Sequence, residues 1–215
     1  MQIVNQGMYM RGLGYVLLML NMALPVFAEP FSHKLHLQLV PQCVTCHATV
    51  GASTKATDNN LPVEAACKSC HATRTIKQPE KLVVSHFNHQ LHLKFGNVAP
   101  IIAQAIDKGL YLTKPGDLRA QLNTKNACAA CHRGMEKSEA LVAKAAFPAM
   151  ADCLVCHTKI DAPFSCEKCH DSKAAIKPTN HTPDFLDSHN RKNHTWDKET
   201  CAVCHGRTFT CLGCH

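Results

Sequence analysis

The sequence predicts a mainly α-helical chain with much irregular structure and no significant β-sheet. Three observations lead there. The five-residue motif Cys-x-x-Cys-His occurs seven times in 215 residues, and each copy has the length of little more than one helical turn. No stretch alternates apolar and polar residues as a half-buried strand does. Aromatic residues make up only 6% of the chain, with Trp196 the one tryptophan, so a large aromatic core is not expected.

In chain order, residues 1–28 read as a secretory signal peptide. Arg11 closes a polar start, the stretch GLGYVLLMLNMALPVF is apolar apart from Asn21, and Val26-Phe27-Ala28 supplies the small residues a signal peptidase needs. Cleavage is expected after Ala28. The apolar stretch, interrupted by Asn21 and Pro25, is shorter than the roughly 20 residues that span a bilayer. The mature chain is therefore expected to be exported, with no transmembrane segment. No cysteine precedes Cys43, which excludes a lipid-bearing cysteine at the cleavage site.

The motifs divide the rest. Residues 29–85 form a two-motif module with CVTCH (Cys43, Cys46, His47) and CKSCH (Cys67, Cys70, His71). Residues 86–175 form a second module with a helical insertion and three motifs: CAACH (Cys128, Cys131, His132), CLVCH (Cys153, Cys156, His157) and CEKCH (Cys166, Cys169, His170). Residues 176–215 carry CAVCH (Cys201, Cys204, His205) and CLGCH (Cys211, Cys214, His215). The first two modules share a repeat: FSHKLHL at 31–37 returns as FNHQLHL at 87–93, each followed by two motifs spaced 24 or 25 residues apart. Between repeat and motif, the second copy is longer by about thirty residues. Within that insertion, residues 100–108 begin with proline in the first turn and place Ile101, Ile102, Ala105 and Ile106 largely on one face. Residues 117–122 are a shorter helix candidate. Residues 136–146, alanine-rich and ending before Pro148, are a third.

The motifs use all 14 cysteines, and three chemistries compete for them. A disulfide framework has no need of a histidine after each second cysteine. At the chain's frequency of 15 histidines in 215 residues, seven such coincidences would arise roughly once in 10⁸. Structural zinc takes four ligands from paired knuckles, and seven knuckles do not pair off. Cys-x-x-Cys-His is the attachment signature of c-type haem: one turn brings both sulfurs to the two vinyl groups of a porphyrin, and the adjacent imidazole reaches the iron. Thioether formation also leaves no free thiol to misoxidise outside the cytoplasm. The expected cofactor is seven covalently bound haems c. With 187 residues left after cleavage, about 27 serve each motif, too few for a separate protein core around each, so the porphyrins themselves are expected to stack as the core. The insertion then reads as a cover over porphyrin edges, with a docking surface as the alternative.

Loss of Arg11 leaves 22 basic residues against 16 acidic ones. The lysines are scattered singly, so the excess does not mark a nucleic-acid partner. Seven ferric haems with ionised propionates, each about −1, would bring the total near neutrality, and the basic excess reads as their counter-charge.

The proximal iron ligands are His47, His71, His132, His157, His170, His205 and His215. Eight histidines remain for the opposite faces: His33, His36, His86, His89, His92, His181, His189 and His194. Seven irons need at most seven, so one is surplus. Methionine would raise the potential, but Met135 and Met150, the methionines beyond residue 28, sit beside motifs where packing on a ring is the expected role. Bis-histidine ligation and low potentials follow.

The segment FSHKLHLQLVPQCVTCH, residues 31–47, resembles the N-terminal segment of class III multihaem cytochromes c, the small low-potential periplasmic electron carriers. The resemblance implies that the first histidine of the pair ligates the haem of the following motif and the second reaches a different haem. His33 would then face the haem of His47 and His36 a neighbour such as that of His71; by the repeat, His89 would face that of His132 and His92 one such as that of His157. The stretch 181–205 resembles extended multihaem members and leaves His181, His189 and His194 unassigned. The family's smaller members hold three or four haems, so its arrangement does not cover seven.

The function expected is electron transfer in the periplasm without substrate chemistry. Partners would be other redox proteins, such as a quinol dehydrogenase, a terminal reductase of anaerobic respiration or an outer-membrane cytochrome. An extracellular or membrane-associated place is the alternative location. A multihaem reductase of a small oxyanion or nitrogen compound needs an iron with an open position and nearby acid–base groups. The surplus of imidazoles argues against one. A subunit of an extracellular cytochrome wire is a third class. In the last stretch, 201–215, five residues join His205 to Cys211. The two motifs are thus neighbours within roughly 20 Å, and the His215 haem is expected to be a thinly wrapped contact point. Mass spectrometry of the mature protein should show the chain beginning at residue 29 and carrying seven haems; a bound zinc mass would overturn the assignment.

Overall fold

The computed structural model describes residues 31–72, 84–139, 147–157, 166–171, 181–188 and 198–206. Nine short α-helices and four 3-10 turns account for the regular structure among them. The helices are α1 (His33–Leu39), α2 (Cys43–Cys46), α3 (Glu64–Lys68), α4 (His89–Leu93), α5 (Ala99–Asp107), α6 (Leu118–Gln121), α7 (Met150–Leu154), α8 (Phe185–Ser188) and α9 (Lys198–His205). Among the described residues β pairing is confined to an isolated antiparallel bridge, Val84 with His170. The helical, sheet-poor class read from the sequence is what the chain adopts.

The two repeat helices start the same way for the same reason. Ser32 and Asn88 stand in extended conformation at the N-caps of α1 and α4, and their side-chain oxygens accept from the backbone N–H of Leu35 and Leu91. Each satisfies a donor that the first turn leaves orphaned. The helices are four to nine residues long. Helices below about 12 residues are marginal on propensity alone, so what they pack on decides whether they form.

α5 is bounded at both ends. Pro100 lies in its first turn, where a missing N–H is harmless, and Asn97 Oδ1 accepts from Ala99 N at 3.0 Å. At the other end Gly109 adopts φ +66°, with Gly109 N bonded to Ile106 O at 2.9 Å and Leu110 N to Ala105 O at 2.8 Å. This is a Schellman closure, which favours glycine at the left-handed position.

The apolar face of α5 is the expected one at Ile102, Ala105 and Ile106 and departs from it at Ile101. Ala99, Ile102 and Ala103 are buried with Ile106 packed against them, while Ile101 is 49% exposed. The positions 99, 102, 103 and 106 follow the i, i+3, i+4, i+7 stripe, and Ile101 lies a full residue step off it. With Tyr111, Leu122, Ala130 and Ala151 they form a small aliphatic core. The insertion therefore contributes a core of its own beside the third and fourth motifs, which corrects the expectation that porphyrins alone would provide one.

At the rim of this core Asp152 is 6% exposed. It accepts from Tyr111 Oη at 2.9 Å, from Arg133 and from the backbone N–H of Ala149 at 2.7 Å. Burial, followed by the Asp152 charge, pushes the Tyr111 phenol well above its ordinary range. The network ties the residue after the third motif to the residue before the fourth. The helix expected at 136–146 does not start at 136. Met135–Lys137 is a 3-10 turn ending at an extended Ser138 (ψ 119°), whose carbonyl accepts from Lys34 N at 3.0 Å; residues 140–146 lie outside the described residues. Trimming Ile102 to alanine should cost about 2–4 kcal/mol, read as a lower denaturation midpoint with haem content unchanged.

Candidate haem centres

Each motif among the described residues is wound as a helical turn. The imidazole-bearing residue donates its backbone N–H to the carbonyl of the first cysteine in five motifs: His47 to Cys43 at 2.9 Å, His71 to Cys67 at 2.9 Å, His132 to Cys128 at 2.8 Å, His157 to Cys153 at 3.0 Å and His170 to Cys166 at 2.9 Å. Cys201, Cys204 and His205 lie within α9. The turn gathers two sulfurs and one imidazole for a single ring. None of the twelve described cysteines is in a disulfide.

Opposite five of these imidazoles stands a second one. Ring centroids lie 6.4 Å apart for His33 and His47, 6.0 Å for His36 and His71, 6.4 Å for His89 and His132, 6.3 Å for His92 and His157, and 6.1 Å for His181 and His205. Two imidazoles on one metal, each bound through Nε2 at about 2 Å, put their centroids about 6 Å apart. Five independent pairs at that spacing fit an iron between each pair.

The outer nitrogens support the same arrangement. Nδ1 of His36 faces Ser32 O at 2.8 Å, Nδ1 of His92 faces Asn88 O at 2.7 Å, and Nδ1 of His47 faces Asn60 O at 2.8 Å. A carbonyl only accepts, so Nδ1 carries the proton and Nε2 is left with its lone pair toward the partner ring. His89 Nδ1 lies 3.5 Å from Ser53 Oγ; His33 Nδ1 is buried with no hydrogen-bond partner. Burial first, then the facing imidazoles, hold His33 and His89 below the ordinary histidine pKa. Both are thus neutral, as metal ligands must be.

Sequence reasoning missed what orients these rings. Phe31 meets His33 edge-on at 4.8 Å and stacks on His36 at 4.3 Å; Phe87 meets His89 at 4.7 Å and stacks on His92 at 4.4 Å. Phe185 stacks on His181 at 5.2 Å. The signal was present in the repeated Phe-x-His-x-x-His, where only the histidines were read.

His86 is placed by backbone pairing. Its N–H donates to Cys169 O at 3.1 Å, Ser85 N donates to the same carbonyl at 3.1 Å, and Ser85 Oγ accepts from Asp171 N at 3.0 Å. With the Val84–His170 bridge, this brings His86 to the motif of His170. His189, His194, Cys211, Cys214 and His215 lie outside the described residues, as do the expected cleavage site and residues 1–28. Of the two methionines beyond residue 28, Met135 opens the turn that packs on α1 and Met150 opens α7.

The pairs differ in tilt. Ring planes meet at 7°, 15° and 5° for His33/His47, His89/His132 and His181/His205, but at 52° and 40° for His36/His71 and His92/His157. Near-parallel rings split the iron dπ orbitals more than tilted rings do. Oxidised protein should therefore give two classes of low-spin paramagnetic resonance signal. His36→Ala should convert one signal of the tilted class to high spin and leave the near-parallel class unchanged.

Among the described residues no helix is long and apolar enough to cross a membrane. No curated protein and no solved structure matches the chain. Residues 39–215 match the family described as MtrC/MtrF-like outer membrane cytochromes, domains II and IV. That match spans most of the 215 residues and includes all seven motifs, and with the paired imidazoles it shows that the chain belongs to this family of multihaem c-type cytochromes.

Proposed function

We propose that the chain is a periplasmic electron carrier holding seven covalent, low-potential haems c, with no substrate chemistry of its own. The observation that carries this reading is the set of five imidazole pairs at one spacing, 6.0–6.4 Å. When bound, each haem supplies a one-electron iron couple. The chain's part would be to hold each of five irons between two imidazoles, which would leave no open position there for an oxyanion or small nitrogen compound, and to keep the imidazole rings in fixed orientations. Two nitrogen ligands from imidazoles whose Nδ1–H is donated to a carbonyl make electron-rich ligands and favour a low potential.

By the same reading His33, His36, His89, His92 and His181 serve as distal ligands to the irons of His47, His71, His132, His157 and His205. His86, held beside Cys169, serves that of His170. His189 and His194 are left for the motif of His215, so one of them is the surplus imidazole. The pattern agrees with the class III resemblance of residues 31–71, extended to seven haems. The partners proposed are a quinol dehydrogenase upstream and a terminal reductase or outer-membrane cytochrome downstream.

The family's description as outer membrane cytochromes favours one second reading, in which the exported protein works at the cell surface as part of an extracellular conduit. Fractionation with protease shaving of intact cells separates the two, since a periplasmic carrier is protected. Oxidised protein should show low-spin haem alone, unaltered by nitrite or hydroxylamine. A stoichiometric high-spin signal that shifts with nitrite would establish a reductase instead.

A further inference from the structure

The two copies of the repeat contact each other reciprocally. α1 packs on Met135–Lys137, the turn that begins three residues after His132, and α4 packs on Val50–Ala52, the turn that begins three residues after His47. Lys34 N donates to Ser138 O at 3.0 Å, and Gln90 N donates to Ser53 O at 2.9 Å. Lys34 and Gln90 are equivalent by the 56-residue shift of the repeat, and Ser53 and Ser138 by the 85-residue shift that relates His47 to His132. When residue i of one unit meets j of the other while j's equivalent meets i's, the contact is isologous and an approximate two-fold axis relates the units.

A residue that touches its own equivalent lies on that axis. Cys43 and Cys128 are such a pair under the 85-residue shift, and the two thiols lie close enough that Cys43 helps to raise the pKa of Cys128, after burial. Asn126, two residues before Cys128, also donates Nδ2 to Cys43 Sγ at 3.5 Å. The outer sites lie away from the axis in the same sense on both sides. His36 pairs with His71 and His92 with His157, each from the helix that also serves the inner site. The second module continues beyond its outer site, because α7 packs on α9, where Ala202 is buried.

Resting on the electron-transfer reading above, we infer that the two modules are joined head to head through the attachment edges at Cys43 and Cys128. The sites then run in the order His71, His47, His132, His157 and on to the C-terminal motifs. The first module is threaded in reverse of its sequence, and the His71 site is the outer end of the row.

When haem is bound, Cys43 and Cys128 would each hold a porphyrin edge, so the nearness of the two residues would bring those edges together at the joint between the modules. Asn126 is a positioning residue at this joint.

A crystal or electron-microscopy structure of the full haem-loaded chain tests the order through its iron positions. The expected result has the iron of His47 between those of His71 and His132, with the Cys43 and Cys128 thioethers in contact. An iron of His71 lying next to that of His132 or His157, or a Cys43 to Cys128 separation spanned by other haems, would overturn the head-to-head order while leaving electron transfer intact. Haem content by mass spectrometry and spin state on the same sample report on the electron-transfer reading separately; a preparation that matures without haem would overturn both.

Discussion

Everything in this structure depends on two imidazoles facing each other about 6 Å apart across the place of one iron. The constraint is demanding because the rings come from distant parts of the chain: His33 with His47 is the shortest separation, and His92 must meet His157. The motif turn fixes one ring through its internal hydrogen bond, and the other is fixed by a capped helix and a phenylalanine. Phe31 touches two imidazoles at once, and so does Phe87, which couples the orientation of neighbouring sites. A change in either aromatic ring would be felt at two irons.

The helical class and the pairing of motif with repeat histidine could be read from the sequence because both are local patterns. Phe-x-His-x-x-His occurs twice, and the cap residue before each helix, Ser32 or Asn88, is visible in the same seven letters. The contribution of residues 99–122 was not legible. That stretch looked like a lid, yet it builds a core with Ala130 and Ala151, contacts that no periodicity within the helix encodes. Ala103 rather than Ile101 completes the buried face, because a nine-residue helix offers too few turns for periodicity to fix the edge of its stripe. Asp152 was unreadable for a related reason. Its partners Tyr111 and Arg133 lie 41 and 19 residues away, and no local pattern around Cys153 encodes them.

The reciprocal contacts explain why a duplication can lengthen a conduit without new interface chemistry. A unit whose α1 packs on the turn after a motif already carries both halves of an isologous contact, so a second copy finds its partner surface ready. The same argument explains where insertion is tolerated. The extra residues fall between α4 and Cys128, outside both reciprocal turns, so the joint keeps its geometry: Lys34 to Ser138 and Gln90 to Ser53 remain within 0.1 Å of each other.

The insertion nevertheless makes the two modules unequal in what holds them. In the second, α5 and the Tyr111–Asp152–Arg133 network join the third and fourth motifs through protein contacts. The first module has no comparable group among the described residues: α1, α2 and α3 contribute no buried side chain. Helices of four to seven residues do not persist on propensity, so α1 is held chiefly by its contact with the second module and by whatever lies between its imidazoles and those of His47 and His71. The second module has an aliphatic core beside the third and fourth motifs, and its turn at Met135–Lys137 is the surface on which α1 packs. Among the described residues the first module is accordingly the part with the least buried protein structure of its own.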